Sequence, residues 1–256
     1  MIATSGRWDP ERWPLYFLAQ NIANIRYTGR YATDHLIAVN EINSEADRTF
    51  IDALMEDQAI NLFIDSGVFN LANSHAETHN ISMDAALSLA PDDLDGFDDL
   101  FNRYVRLATR WQDKCWGLVE IDQGGRENKI RTRARLEALG LRPMPVYHPF
   151  NDGWDYFDYL AERYDRICFG NVVQADIATR KRLVATAWER RRKYPHLWIH
   201  LLGLTPSSLT VSFPMSSCDS STWVGPARWG KVHCWGASQR LWDVGYGFTY
   251  DRDSDS

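Results

Sequence analysis

The sequence predicts a single (β/α)8 barrel, and three observations carry that prediction. Short apolar runs alternate with helical patterns along the chain, the mark of successive βα units. Three of those runs end on carboxylates: Leu62-Phe63-Ile64-Asp65, Gly117-Leu118-Val119-Glu120-Ile121-Asp122, and Phe213-Pro214-Met215-Ser216-Ser217-Cys218-Asp219. A strand that is apolar until an acidic end suits a buried parallel sheet, and in a closed barrel those ends share the rim where chemistry sits. Finally, the 256 residues match the about 250 of one such barrel, so length does not demand a second domain.

Residues 1–34, rich in Trp, Arg and Tyr, read as a capping segment with a short helix around 16–25. The barrel is expected over 35–250, and the acidic stretch 251–256 as a disordered tail. Strands are predicted at 35–40, 61–64, 115–121, 144–147, 166–169, 197–202, up to Asp219, and at 231–235, which makes eight. Ser44 opens a helix to Met55, with Asp47 at the reciprocal capping position. The polar stretch 70–96 reads as a long loop holding His75 and His79, and apolar spacing then marks a helix over 97–111. Helices follow at 128–139, closed by Gly140, at 154–164 and at 177–194, and a Thr205-Pro206-Ser207-Ser208 turn opens a brief one.

Composition narrows the function classes. Hydrophobic residues at 45% and charged residues at 24% suit a globular chain with a large core. No apolar run approaches the about 18 residues of a membrane span, and the first residues lack the apolar stretch of a signal peptide. Cys115, Cys168, Cys218 and Cys234 are scattered with no C-x-x-C pair, which argues against a disulfide framework or zinc knuckle and for a reduced, cytoplasmic protein. A net charge of −6 argues against wholesale coating of a polyanion, although two basic stretches interrupt it. Arg126, Lys129, Arg131, Arg133 and Arg135 face only Glu127 locally; Arg180, Lys181, Arg182, Arg190, Arg191, Arg192 and Lys193 form the second stretch, equally readable as solvated helix faces.

Six motifs, in order on consecutive strands, carry a resemblance: Ile64-Asp65-Ser66-Gly67-Val68-Phe69, Glu120-Ile121-Asp122, Pro145-Val146-Tyr147-His148, Phe169-Gly170-Asn171, His200-Leu201-Leu202-Gly203-Leu204-Thr205-Pro206, and Cys218-Asp219-Ser220-Ser221-Thr222-Trp223. Over about 35–236 the chain resembles the tRNA-guanine transglycosylase superfamily, most closely its phage and bacterial branch that places 7-deazaguanines in DNA. The resemblance implies exchange of a purine base without backbone cleavage. Asp219 would be the nucleophile at C1′ and Asp65 the general base. Asp122 would accept from the base's N–H groups, the Gly170 backbone would donate to the purine, and Phe69 and Leu202 would sandwich the ring. Ser66, His148 and Gly203 complete the implied binding set; His148 stands where the family carries glutamine, so the 7-substituent recognised is expected to differ.

The chemistry asks for these residue types independently. Displacement at an anomeric carbon uses one carboxylate as covalent partner and a second group for proton transfer. Crowded carboxylates push their pKa values apart, so that one stays ionised while another holds a proton. The same crowding has a plain alternative, since an Asp closing a strand also caps turns. Glu120 is expected to point away from the cleft, on the ground that strand residues alternate sides. Only His233 and Cys234 follow Asp219 as zinc donors, so no metal and no cofactor are expected, and the zinc subdomain of the tRNA enzymes is missing. The implied partners are a flipped guanine nucleotide in DNA and a free 7-deazaguanine base, with Arg126, Lys129, Arg131, Arg133 and Trp223 as nucleic-acid contacts. An RNA-acting transglycosylase and an inactive DNA-binding barrel are the alternatives. His75 and His79, without a fixed acid partner, read as surface residues.

Overall fold

A computed structural model describes residues 15–205, 207–224, 231–235 and 241–245. Eight parallel strands form its centre: β1 (Leu15–Ala19), β2 (Asp34–Ala38), β3 (Asn61–Asp65), β4 (Gly117–Leu118), β5 (Val146–Tyr147), β6 (Arg166–Phe169), β7 (Trp198–Leu201) and β8 (Ser217–Ser220). Consecutive strands pair in order from β1 to β4 and from β5 to β8, and β1 pairs with β8, setting Phe17 opposite Asp219. A parallel bridge between Val119 and Met144 joins β4 to β5, with Met144 N–H on Leu118 O at 2.7 Å and Glu120 N–H on Met144 O at 3.0 Å. The ring closes there, which makes the fold the (β/α)8 barrel expected from the sequence.

Around it run α1 (Ile22–Thr28), α2 (Glu45–Met55), α3 (Val68–His79), α4 (Met83–Ser88), α5 (Phe97–Trp111), α6 (Gly125–Ala138), α7 (Trp154–Ala161), α8 (Ile177–Arg191) and α9 (Ser208–Ser212). The reciprocal cap of α2 forms as predicted: Asp47 N–H donates to Ser44 Oγ at 3.1 Å and Ser44 N–H to Asp47 Oδ2 at 3.0 Å. At the other end of α6, Gly140 adopts φ +80°, the left-handed conformation that glycine closes a helix with.

Three expectations are corrected. The stretch read as a cap supplies β1, so barrel pairing begins before residue 35. The run expected as the eighth barrel strand is β9 (Lys231–Trp235), which pairs antiparallel with β10 (Leu241–Gly245) outside the barrel sheet. The supposed loop after β3 holds α3 and α4. Its buried stripe is Val68, Ala72, His75 and Ala76, at helical spacing, but built from small residues and a histidine rather than the large aliphatics that advertise a helix. The rest of the expected cap (1–14) and the acidic tail (251–256) lie outside the described residues. Among the described residues no helix is long and apolar enough to cross a membrane.

The core has three parts. Phe17, Leu36, Phe63, Val119, Met144, Val146 and Cys168 fill the barrel interior. One crescent outside packs β2, β3 and β4 against α2, α3 and α5, and a second packs β5 to β8 against α7 and α8. Two large buried side chains keep their polar tips satisfied: Tyr104 donates to Val119 O at 2.7 Å and Trp111 Nε1 to Asp52 at 2.7 Å. Near the strand starts, Trp116 stacks edge-on with Trp198 at 5.2 Å and lies under the Arg166 guanidinium at 4.6 Å, closing the barrel floor and leaving its C-terminal mouth for chemistry.

Candidate active site

Alternation within β3 and β8 decides what reaches the mouth. Leu62 and Ile64 pack outward while Phe63 fills the interior, so Asp65 shares Phe63's inward face at the strand end. On β8 Cys218 joins the outer crescent and Asp219 turns inward, only 6% exposed. The third acid arrives differently. Glu120 and Asp122 have the same parity, so alternation alone would put both on one side. Leu118 packs outward and Val119 inward, so alternation turns Glu120 outward into the wall as expected; the ladder ends there, and the chain beyond it leaves the pleat to bring Asp122 to the mouth.

Asp65, Asp122 and Asp219 thus gather as the sequence predicted. Burial pushes the Asp65 carboxyl up to about 7, the negative charges of Asp122 and Asp219 add to that rise, and the Gly67 N–H at 3.1 Å only partly offsets it. Asp122 moves the other way: burial works upward, but the His148 imidazole bonded to it at 2.8 Å, with Lys129 farther off, holds the carboxyl below its ordinary value. Two neighbouring acids therefore differ in their hold on a proton, which is how one site keeps a proton donor beside an ionised acceptor.

Asp219 is held through one oxygen. Its Oδ1 accepts from His200 Nε2 at 3.0 Å and from the Gly203 N–H at 2.9 Å, while Oδ2 has no hydrogen-bond partner among the described residues. Gly203 can offer that N–H because it adopts φ +71°, and a Cβ there would come within 2.9 Å of Val173. The histidine is oriented from below: its Nδ1 meets Ser217 Oγ at 2.8 Å, and that hydroxyl also receives Trp198 Nε1–H at 2.9 Å. With Asp219 as a carboxylate, which only accepts, His200 Nε2 is the donor of that bond. His200 was quoted only as part of a motif in the sequence reading. The missed signal was register, because His200 pairs with Ser217 and so lies on the same inward face as Asp219, two residues further along.

His148 is equally well supported. Its backbone N–H donates to Asp152 Oδ2 at 2.7 Å, and Lys129 Nζ, fully buried, bonds both that carboxylate and Val146 O. Gly170 faces it so closely that a Cβ would meet Val146 at 3.0 Å and the His148 ring at 3.1 Å. The implied role of the Gly170 N–H is corrected, because that N–H donates to Tyr147 O at 3.0 Å within the sheet. Its neighbour Asn171, at φ 61°, has no backbone partner for its N–H among the described residues. Asn40, beyond β2, keeps its Oδ1 buried with no partner, just where a Cβ on Gly67 would approach to 2.7 Å.

The other implied residues divide. Ser66 is buried and caps α3 through Oγ, accepting Val68 N–H at 3.4 Å; Phe69 stands on the first turn of α3, 54% exposed. Leu202 follows β7 and packs on the interior cluster. Trp223 donates its indole N–H to Ala19 O at 3.2 Å, half-buried on the end of β1. The basic run is the main correction. Lys129 and Arg133 lie on the inner face of α6, with Arg133 bonded to Glu120 at 2.9 Å and to Tyr156 OH at 2.9 Å, so neither reaches a phosphate. Arg126 pairs with Asp155 at 2.9 Å and Arg131 with Asn128, both at the surface. In the second stretch Arg190 bonds Asp158 at 2.6 Å and Arg180 bonds Val172 O at 3.1 Å. No protein-family model and no curated protein matches the chain.

Proposed function

We propose that this barrel exchanges guanine for a 7-deazaguanine in DNA through an aspartyl-glycosyl intermediate. The observation that carries the reading is the division of labour at the mouth: Asp219 is fixed through Oδ1 with Oδ2 left open, beside an Asp65 that keeps a proton to about pH 7. In the first half-reaction Asp219 Oδ2 attacks C1′, the C1′–N9 bond breaks with its electron pair on guanine, and Asp65 supplies the proton that neutralises the leaving base. In the second, Asp65 takes a proton from the incoming base, whose nitrogen displaces the Asp219 ester and returns the electron pair to the carboxylate. Asp122 and Asn40 Oδ1 offer acceptors for base N–H groups, and Asn171 N–H offers a donor.

A guanine inside a duplex must flip out to reach such a mouth, so the flanking phosphates need a cationic surface. With Lys129 and Arg133 held inside the wall, we assign that role to the groove of about 470 Å³ between α2 and α5, where Arg103 and Arg106 stand beside Arg48 and Arg110, which are paired with Glu45 and Asp52. Arg103 bonds a neutral amide there, Asn43 Oδ1 at 2.9 Å, and stays available to an anion. The test offers labelled 7-deazaguanine with DNA and with tRNA in separate reactions. Label in DNA supports the reading, label in tRNA alone transfers the activity to RNA, and label in neither polymer refutes it. Arg103→Gln with Arg106→Gln is expected to weaken DNA binding and lower the salt slope by about 2, one unit per lost phosphate contact.

A further inference from the structure

Far from these acids in sequence role, α3 carries His75 and His79 four residues apart on one helix face, their rings stacked with centroids 4.1 Å apart. Asp95, in the turn before α5, is the fixed acid partner that the sequence did not disclose. Its Oδ2 lies 2.6 Å from His79 Nε2 and 3.2 Å from His75 Nδ1. The Asp95 backbone N–H donates to His75 Nδ1 at 3.2 Å, so this nitrogen carries a lone pair rather than a proton, and a metal would take that lone pair over from the N–H. One atom of each residue lies within 4.8 Å of the other two.

We propose that His75, His79 and Asp95 form a binding site for a divalent transition metal of the zinc type, clamping the end of α3 to the start of α5. Two imidazoles and a carboxylate suit zinc and its neighbours rather than calcium or magnesium, which prefer all-oxygen shells. Tetrahedral bonds of about 2.0–2.1 Å set neighbouring ligand atoms about 3.3 Å apart, close to the 3.2 Å from His75 to Asp95 and about 0.7 Å beyond the 2.6 Å from His79 to Asp95. For metal binding His79 presents Nε2 as a lone pair, with its ring proton on Nδ1, and the metal replaces the present contact with Asp95. Water or a neighbouring carboxylate completes the shell, because Asp92, Asp98 and Asp99 line the same recess of about 340 Å³ as Asp95 and draw cations toward it. The expectation of no zinc counted donors after Asp219 only; this set lies between β3 and β4.

The site would staple the two ends of an excursion that includes α4, on the helix whose first turn presents Phe69 at the mouth. The experiment titrates the full chain with Zn2+ by calorimetry and with Co2+ by visible absorption. One equivalent of each is expected, and His79→Ala and Asp95→Asn should each weaken zinc by at least the about 10-fold that even an outer-shell loss costs. Both residues are largely exposed, so the variants are expected to fold, and unchanged circular dichroism checks that. Asp219→Asn should bind zinc as the wild type does. Absence of binding at about 100 μM zinc, where even micromolar affinity would saturate, overturns the proposal, as does equal binding by wild type and His79→Ala. In the latter case the trio is a surface ion pair and no more.

Discussion

Behind the barrel wall, Glu120 and Asp152 each face a buried cation, Arg133 and Lys129, and those side chains are within a few per cent of complete burial. At the mouth, Asp65, Asp122 and Asp219 gather with no lysine or arginine among the described residues bonded to any of them; imidazoles and backbone N–H groups are their partners. The wall matches charge with charge and is structural. Burial raises an acid in each region to about 7, Glu120 in the wall and Asp65 at the mouth, so the difference lies in pairing: Glu120 still faces Arg133, whereas Asp65 faces the charges of Asp122 and Asp219, and Asp219 Oδ2 has no partner among the described residues. The two regions touch through Asp152, whose carboxylate bonds Lys129 on one side and the His148 backbone on the other.

Removing a wall cation should have the largest effect on stability. Arg133→Met leaves Glu120 buried and unpaired, and a loss of about 3–5 kcal/mol in urea denaturation is expected; replacing Glu120 by Leu as well should restore much of it. A single variant as stable as wild type would dissolve the distinction between wall and mouth. Next comes Gly170→Ala, which presses a methyl onto Val146 and His148. It should cost about 1–3 kcal/mol and weaken binding of a free purine base measured by calorimetry.

At the mouth the sign reverses. The folded pKa of Asp65 is raised from 3.8 to about 7, so the native state binds that proton more tightly than the unfolded chain does. Its contribution is present below pH 3.8 and is lost as pH rises to about 7. Asp65→Asn should therefore gain stability relative to wild type at pH 8, by up to about 4 kcal/mol for a shift of this size, gain nothing at pH 3, and abolish base exchange. In the wild type, single-turnover guanine release should fall as pH rises through about 7, where Asp65 gives up its proton. A rate that climbs through that range would remove Asp65 as proton donor. The smallest effect belongs to Arg126→Gln with Arg131→Gln, within about 0.5 kcal/mol by thermal unfolding and with DNA affinity unchanged.

The barrel was legible because apolar runs and helical spacing repeat along the whole chain, and the strand-end acids were legible because carboxylates are conspicuous after such runs. β1 was hidden in a segment whose Trp and Arg content reads as a cap, and its pairing with β8 joins residues about 200 positions apart, which no local pattern encodes. α3 was hidden by its Ala and His stripe. The reading of Lys129 and Arg133 as surface charges failed for a different reason: four residues apart, they share one helix face, and Glu120 and Asp152 supply the partners that let this face be buried. An outward-pointing Glu120 on a covered strand was itself the clue, since a buried acid demands a cation across from it. The chain that orients Asp219 through His200, Ser217 and Trp198 emerges only with the strand register.

The central claim is that Asp219 Oδ2 is the nucleophile, and trapping measures it most directly. The full chain is incubated with a guanine-containing DNA oligonucleotide without acceptor base, denatured, and weighed by intact mass spectrometry beside Asp219→Asn. The account predicts a protein–DNA adduct, formed with release of guanine, mapping to Asp219 and absent from the variant. An adduct of equal yield in Asp219→Asn, or guanine exchange that survives in that variant, would contradict it.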